Sequence, residues 1–148
     1  MSAKWDQRYL DLAQYIAQWS KDPSTKVGAV LIDVHGQPVS FGFNGLPMYI
    51  KDTPERYTDR ETKYKMIIHA ERNAMLFARR DLTAATLYTW PMMPCAACAG
   101  LIIQAGIDRV VAPETPMELV ERWGGDMQLA TEMFEEAGVA LDWMVEDE

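Results

Sequence analysis

The chain has 148 residues, enough for one domain with a real core; 49% are apolar and 24% charged, an ordinary globular balance. No apolar run approaches the ~20 residues needed to cross a bilayer, and the start Met1-Ser2-Ala3-Lys4-Trp5-Asp6 lacks a leader's apolar stretch, so a cytoplasmic protein is expected. A formal net charge of -8 disfavours binding to nucleic acid polymers, but leaves a small anionic ligand open to one local cluster of Lys and Arg.

Trp5, Tyr9, Leu12, Ile16 and Trp19 recur at helical spacing, which predicts an amphipathic helix over residues 5–19, broken by Asp22-Pro23-Ser24. Val27 to Val34 and Pro38 to Phe43 are apolar and β-branched around His35-Gly36-Gln37, the pattern of a hairpin. Residues 45–65 show little periodicity, many charges and two prolines; a loop of that length is functional or partly helical.

Ala70 to Arg80 reads as a helix and Ala85 to Trp90 as a strand. Pro94 stands where the next helix would begin and Gly106 where it would end. Arg109 to Ala112 is a short strand. Glu118 to Ala137 is helical, with Gly124-Gly125 as the place where it would break, and Val139 to Val145 is the last strand. The long helix between the last two strands is the crossover that parallel pairing requires. The expectation is a single α/β domain over residues 1–148, with a mixed five-stranded sheet covered by helices on both faces.

The chemistry is concentrated in few residues, because the chain has two Cys, Cys95 and Cys98, and two His, His35 and His69. In a reducing compartment Cys-x-x-Cys alone is metal-binding or redox-active. Three residues apart at a helix start, both sulfurs can face one metal, and the helix dipole favours thiolates. His69 at the start of another predicted helix makes a third ligand, leaving a fourth tetrahedral position for water as in a catalytic zinc site. Glu71 is placed to reach that water without being a ligand. His35, in the hairpin turn with no Cys nearby, reads as a surface residue.

Together His69-Ala70-Glu71 and Pro94-Cys95-Ala96-Ala97-Cys98 match the His-x-Glu…Pro-Cys-x-x-Cys signature of zinc nucleobase deaminases. Three further segments narrow the resemblance: Ser20 to Val30, Gly42-Phe43-Asn44-Gly45-Leu46-Pro47, and Ile102-Ile103-Gln104-Ala105-Gly106-Ile107. With these the chain resembles the deoxycytidylate (dCMP) deaminase family from about Trp5 to Ala112, and more loosely beyond. Phe43 stands where the family loop usually has Tyr, and Met48-Tyr49 where it has Arg-Gly.

The resemblance implies the three-layer cytidine deaminase-like fold and a zinc held by His69, Cys95 and Cys98; one zinc per chain is expected, because residues 46–68 contain no Cys or His for the second, structural zinc of some family members. It also implies Glu71 as the proton carrier that turns dCMP into dUMP and ammonia. By the same carry-over Asn44 would hydrogen-bond the deoxyribose, and Ser20, Lys21 and Lys26 are candidates for the 5'-phosphate end. From the residues alone, Asn44-Gly45 is also an ordinary turn, and the Ser-Lys segment is also a solvated capping loop. Relatives assemble as dimers or hexamers, so a homo-oligomer is expected, with a small nucleotide as partner and neither nucleic acid polymer nor membrane. The rivals are a deaminase of another base (guanine, cytosine, adenosine in tRNA) and a non-catalytic zinc-binding regulatory domain.

Overall fold

The computed structural model describes residues 2–145 of the chain. Helix α1 (Ala3–Ala17) is capped by Ser2, whose hydroxyl accepts from the Trp5 backbone N–H. It starts two residues earlier than the apolar spacing predicts, because the cap and not the first aromatic sets the boundary. Strands β1 (Gly28–Ile32) and β2 (Pro38–Phe43) form the expected antiparallel hairpin. Next come α2 (Pro54–Thr58), α3 (Arg60–Met66), α4 (Ala70–Ala78), β3 (Thr86–Trp90) and α5 (Ala96–Gln104). The chain then forms β4 (Arg109–Pro113), α6 (Met117–Ala137) and β5 (Ala140–Met144).

The sheet order is β2-β1-β3-β4-β5, with β1 antiparallel to both its neighbours and β3, β4 and β5 mutually parallel. The mixed five-stranded sheet and the parallel final pair agree with the sequence. Alternation along the central strands sorts the two faces. Val30, Ile32, Tyr88 and Val111 face α1, where Leu10, Ala13 and Ile16 meet them. Ala29, Leu31, Leu87, Val110 and Ala112 face the other way, against Ala70 and Ala74 of α4, Ile102 of α5 and Phe134 of α6. Three layers result, with an apolar core on each side of the sheet.

A polar clamp ties the first layer to the sheet. Arg109 donates to both carboxylate oxygens of Asp6 at 2.9 and 2.7 Å, and to Asp142 at 2.7 Å, while the Tyr88 hydroxyl donates to Asp6 at 2.6 Å. Burial pushes the Asp6 carboxyl up, but the Arg109 and Tyr88 donors outweigh it and hold that carboxyl below the usual carboxylate range.

Helix α6 runs unbroken through Gly124-Gly125. Two interior glycines cost ~1 kcal/mol each relative to Ala, whereas fully burying an apolar side chain contributes ~1.5–3 kcal/mol. Met127, Ala130 and Phe134 are all buried on the following turns, so packing outweighs propensity. Gly138, at φ 78°, closes the helix in the left-handed region.

Gly42 sets the position of α4. A β-carbon there would lie 2.5 Å from the Ala74 backbone N and 2.6 Å from the Ala70 carbonyl O, so β2 and α4 touch backbone to backbone. Asn73 of α4 also donates to the Phe43 carbonyl at 2.8 Å. Gly42→Ala should push α4 off the sheet and cost about 1–3 kcal/mol of stability, the usual range for overpacking. Denaturant unfolding measures this, and a variant as stable as the parent would contradict the close approach.

Candidate metal centre and active site

Two helix starts converge on one point. His69 is the N-cap residue of α4, and Cys95 is the N-cap residue of α5, one residue after Pro94. The Cys95 Sγ accepts the Cys98 backbone N–H at 3.4 Å, so the sulfur does the work of a capping oxygen. The His69 Nδ1 lies 3.6 Å from Cys95 Sγ and 3.3 Å from Cys98 Sγ, and the three donor atoms fall within 4.8 Å of one another.

Two sulfurs and one imidazole nitrogen facing a common point suit zinc in both chemistry and spacing. His69 and Cys95 are partly buried and Cys98 is fully buried. Hydrogen bonding with Cys98, and then with His69, pulls the Cys95 thiol down to about 3 against the effect of burial, while its bond to Cys95, burial and nearby Glu71 push Cys98 far up. His69 is raised, chiefly by its bond to Cys95. Arg72 brings a positive charge near the two sulfurs, and its buried Nε has no hydrogen-bond partner among the described residues.

Glu71 lies in the first turn of α4, 4% exposed, with its proton affinity raised by burial. A carboxyl with raised proton affinity suits proton transfer near neutral pH. It lines the same cavity as His69 and Cys95, together with Met92, Met93 and Trp123. An Asp126 carboxylate oxygen from α6 accepts the Ala96 backbone N–H at 2.9 Å, satisfying a free donor at the start of α5.

Asn44 is buried on the cavity wall and its amide is already engaged. Its Oδ1 accepts from the Val27 N–H at 2.9 Å, and its Nδ2 donates to the Thr25 carbonyl at 2.9 Å and to Asp22 at 3.2 Å. Asp22 also pairs with Lys63 at 2.8 Å, and both side chains are under 10% exposed. Ser20 and Lys21 are not brought to the cavity wall. The Ser20 hydroxyl is buried, donating to the Asn44 carbonyl and accepting from the Asp22 N–H, and exposed Lys21 pairs with Asp52 at 2.7 Å. Lys26 lines a neighbouring open depression, and His35 is an exposed turn residue.

Sequence reasoning missed Asp22, Arg122, Trp123 and Asp126, and it read Lys63 as a surface charge, whereas the structure buries it against Asp22. A signal existed for Trp123, which continues the buried stripe of Met127, Ala130 and Phe134 one turn toward the helix start. The Asp22–Lys63 pair joins residues 41 positions apart, which no local pattern encodes.

A three-layer fold with this two-sulfur, one-imidazole centre and a buried glutamate beside it defines a zinc-dependent deaminase of bases. The family model described as "Cytidine and deoxycytidylate deaminase zinc-binding region" matches residues 3–114, and the chain belongs to that family. It is 44% identical over 144 residues to the "Uncharacterized deaminase in luxG 3'region" of Aliivibrio fischeri, covering 97% of this chain and 96% of that one. It is 38% identical over 114 residues to the deoxycytidylate deaminase of Mus musculus, covering 73% of this chain but only 64% of that longer one. Among solved structures, the dCMP deaminase of cyanophage S-TIM5 in apo form superposes with a TM-score of 0.76 at 22% identity, covering 97% of this chain and 100% of that one. That likeness bears on the fold.

Proposed function

We propose that this chain hydrolyses dCMP to dUMP and ammonia. The observation that carries the reading is the buried Glu71 beside a three-ligand zinc centre, in a cavity also walled by Asn44, Ser24 and Thr25. Relatives bearing the name deoxycytidylate deaminase support the choice of base and nucleotide.

His69, Cys95 and Cys98 would hold the zinc, and zinc so held supplies the Lewis acidity that makes water a nucleophile near neutral pH. Glu71 accepts the proton that this water gives up and delivers it to ring N3, which prepares C4 for attack. A second proton, given up by the hydroxyl now on C4, is carried by Glu71 to the exocyclic nitrogen as the C4–N bond breaks and the C4 carbonyl forms. Water is consumed, and a C4 carbonyl and ammonia are formed. Both Asn44 N–H donors are spent within the protein, so toward a deoxyribose hydroxyl Asn44 acts as acceptor through its remaining Oδ1 lone pair.

Residues 1–148 form a single deaminase domain in this reading, working in the cytoplasm as a dimer or hexamer. Leu76, Phe77 and Leu101 leave apolar surface exposed on α4 and α5, which supports association. No helix among the described residues is long and apolar enough to cross a membrane. The net charge of -8 argues against nucleic acid polymers, including tRNA, as substrates. A purely structural zinc domain has no use for a buried carboxyl at the metal's edge.

Ammonia release from dCMP, deoxycytidine, cytosine and guanine tests the assignment. The dCMP should exceed deoxycytidine by ~10²–10⁴ in kcat/KM, the value of two charge-assisted hydrogen bonds to phosphate. Equal use of deoxycytidine or of a free base would leave the deaminase chemistry standing and remove the nucleotide assignment.

A further inference from the structure

The cavity that contains Glu71 shares Ser24, Thr25 and Arg122 with a second, more open depression, to which Lys26 and Glu118 also contribute. Those three shared residues form the seam where the interior meets the surface. Arg122 sits in the second turn of α6, with its guanidinium carbon 5.4 Å from the centre of the Trp123 ring.

Among the cations that line the two cavities, Lys63 is paired with Asp22, whereas Lys26 and Arg122 are in no ion pair among the described residues. No carboxylate among the described residues lies within ion-pair distance of Arg122, and the hydroxyls of Ser24 and Thr25 make no hydrogen bond there. The Ser24 backbone N–H is held by Asp22 at 2.8 Å, which fixes the loop that carries both hydroxyls.

We infer that Arg122 reads the 5'-phosphate of the substrate, with Ser24 and Thr25 donating from the opposite wall; the inference rests on the nucleotide reading above. A guanidinium offers two parallel N–H donors that match two phosphate oxygens, and contact with an aromatic face limits the conformations it must give up. Glu118, one helical turn before Arg122, lines the outer depression without pairing to it. Its carboxylate opposes the phosphate dianion, so the arrangement also predicts the sign of a second substitution.

Titration calorimetry of the zinc-loaded protein with dUMP, deoxyuridine and inorganic phosphate tests this. The parent should bind dUMP at least ~100-fold tighter than deoxyuridine. Arg122→Ala should narrow that gap by ~10-fold or more, Arg122→Lys should fall between, and Glu118→Gln should widen it. Inorganic phosphate should compete with dUMP in the parent and about 10-fold less well in Arg122→Ala. The same narrowing should show in the ratio of kcat/KM for dCMP over deoxycytidine, carried mainly by KM. A parent-like gap in both Arg122 variants, or unchanged competition by phosphate, overturns the role of Arg122 and leaves the nucleotide reading intact. A parent with no gap overturns both.

Discussion

Glu71→Gln should retain its zinc and its affinity for dUMP while turnover falls by at least ~10²-fold. Glutamine matches the shape of the side chain, and the residue is buried in the first turn of α4, so packing is preserved. The metal stays because its three ligands are His69, Cys95 and Cys98 in this reading. What disappears is a group able to take a proton and return it. Metal analysis, calorimetry with dUMP and steady-state kinetics on dCMP separate the cases. Turnover within a few-fold of the parent would remove the proton-carrying role, and loss of zinc would mean that Glu71 is itself a ligand.

Cys95→Ser should take zinc from one per chain to nearly none and abolish detectable activity. Serine is a good N-cap residue, so α5 keeps an acceptor for the Cys98 N–H that Cys95 Sγ now engages. The loss is therefore a metal effect more than a helix effect. A serine hydroxyl remains protonated near neutral pH and is a poor ligand for zinc beside a thiolate. Because a metal bound only by the folded chain stabilises it by mass action, about 4 kcal/mol at 1,000 times the dissociation constant, a chelator should lower the melting temperature of the parent and leave that of Cys95→Ser unchanged. A variant that still holds stoichiometric zinc would contradict the ligand set, as would a parent with two zincs per chain.

The parts of this centre that the sequence made legible are those fixed by short spacings. His69 and Glu71 are two apart, Cys95 and Cys98 three apart, and each pair sits at a helix start, the second of them marked by Pro94. The strands were equally legible, since the unbroken apolar runs Val30–Leu31–Ile32 and Val110–Val111–Ala112 are what a sheet covered on both faces requires. Helices α2 and α3 were less so. They are five and seven residues long, with Tyr57 and Lys63 as their buried members, too few for a period to show. The Gly124-Gly125 pair misled because propensity is local, whereas the packing of Phe134 is not. Ser20 and Lys21 were drawn in by their place in a resembling segment. Chain direction decides where such side chains point, and here one turns into the protein and the other toward Asp52.

The internal commitments of Asn44 and Asp22 have a thermodynamic corollary. Between them they hold the backbone at Val27, Thr25 and Ser24 and anchor Lys63, so the cavity wall that Asn44 forms is set during folding. Conformational entropy lost once, when the chain folds, is not lost again when a nucleotide arrives. Ligand entry should therefore lack the large negative heat-capacity change of a segment that orders on contact. The same rigidity should make the wall intolerant: if the sugar of the proposed substrate rests on it, an added 2'-hydroxyl would meet a surface with little freedom to yield, and discrimination between ribo- and deoxyribonucleotides would be a matter of shape.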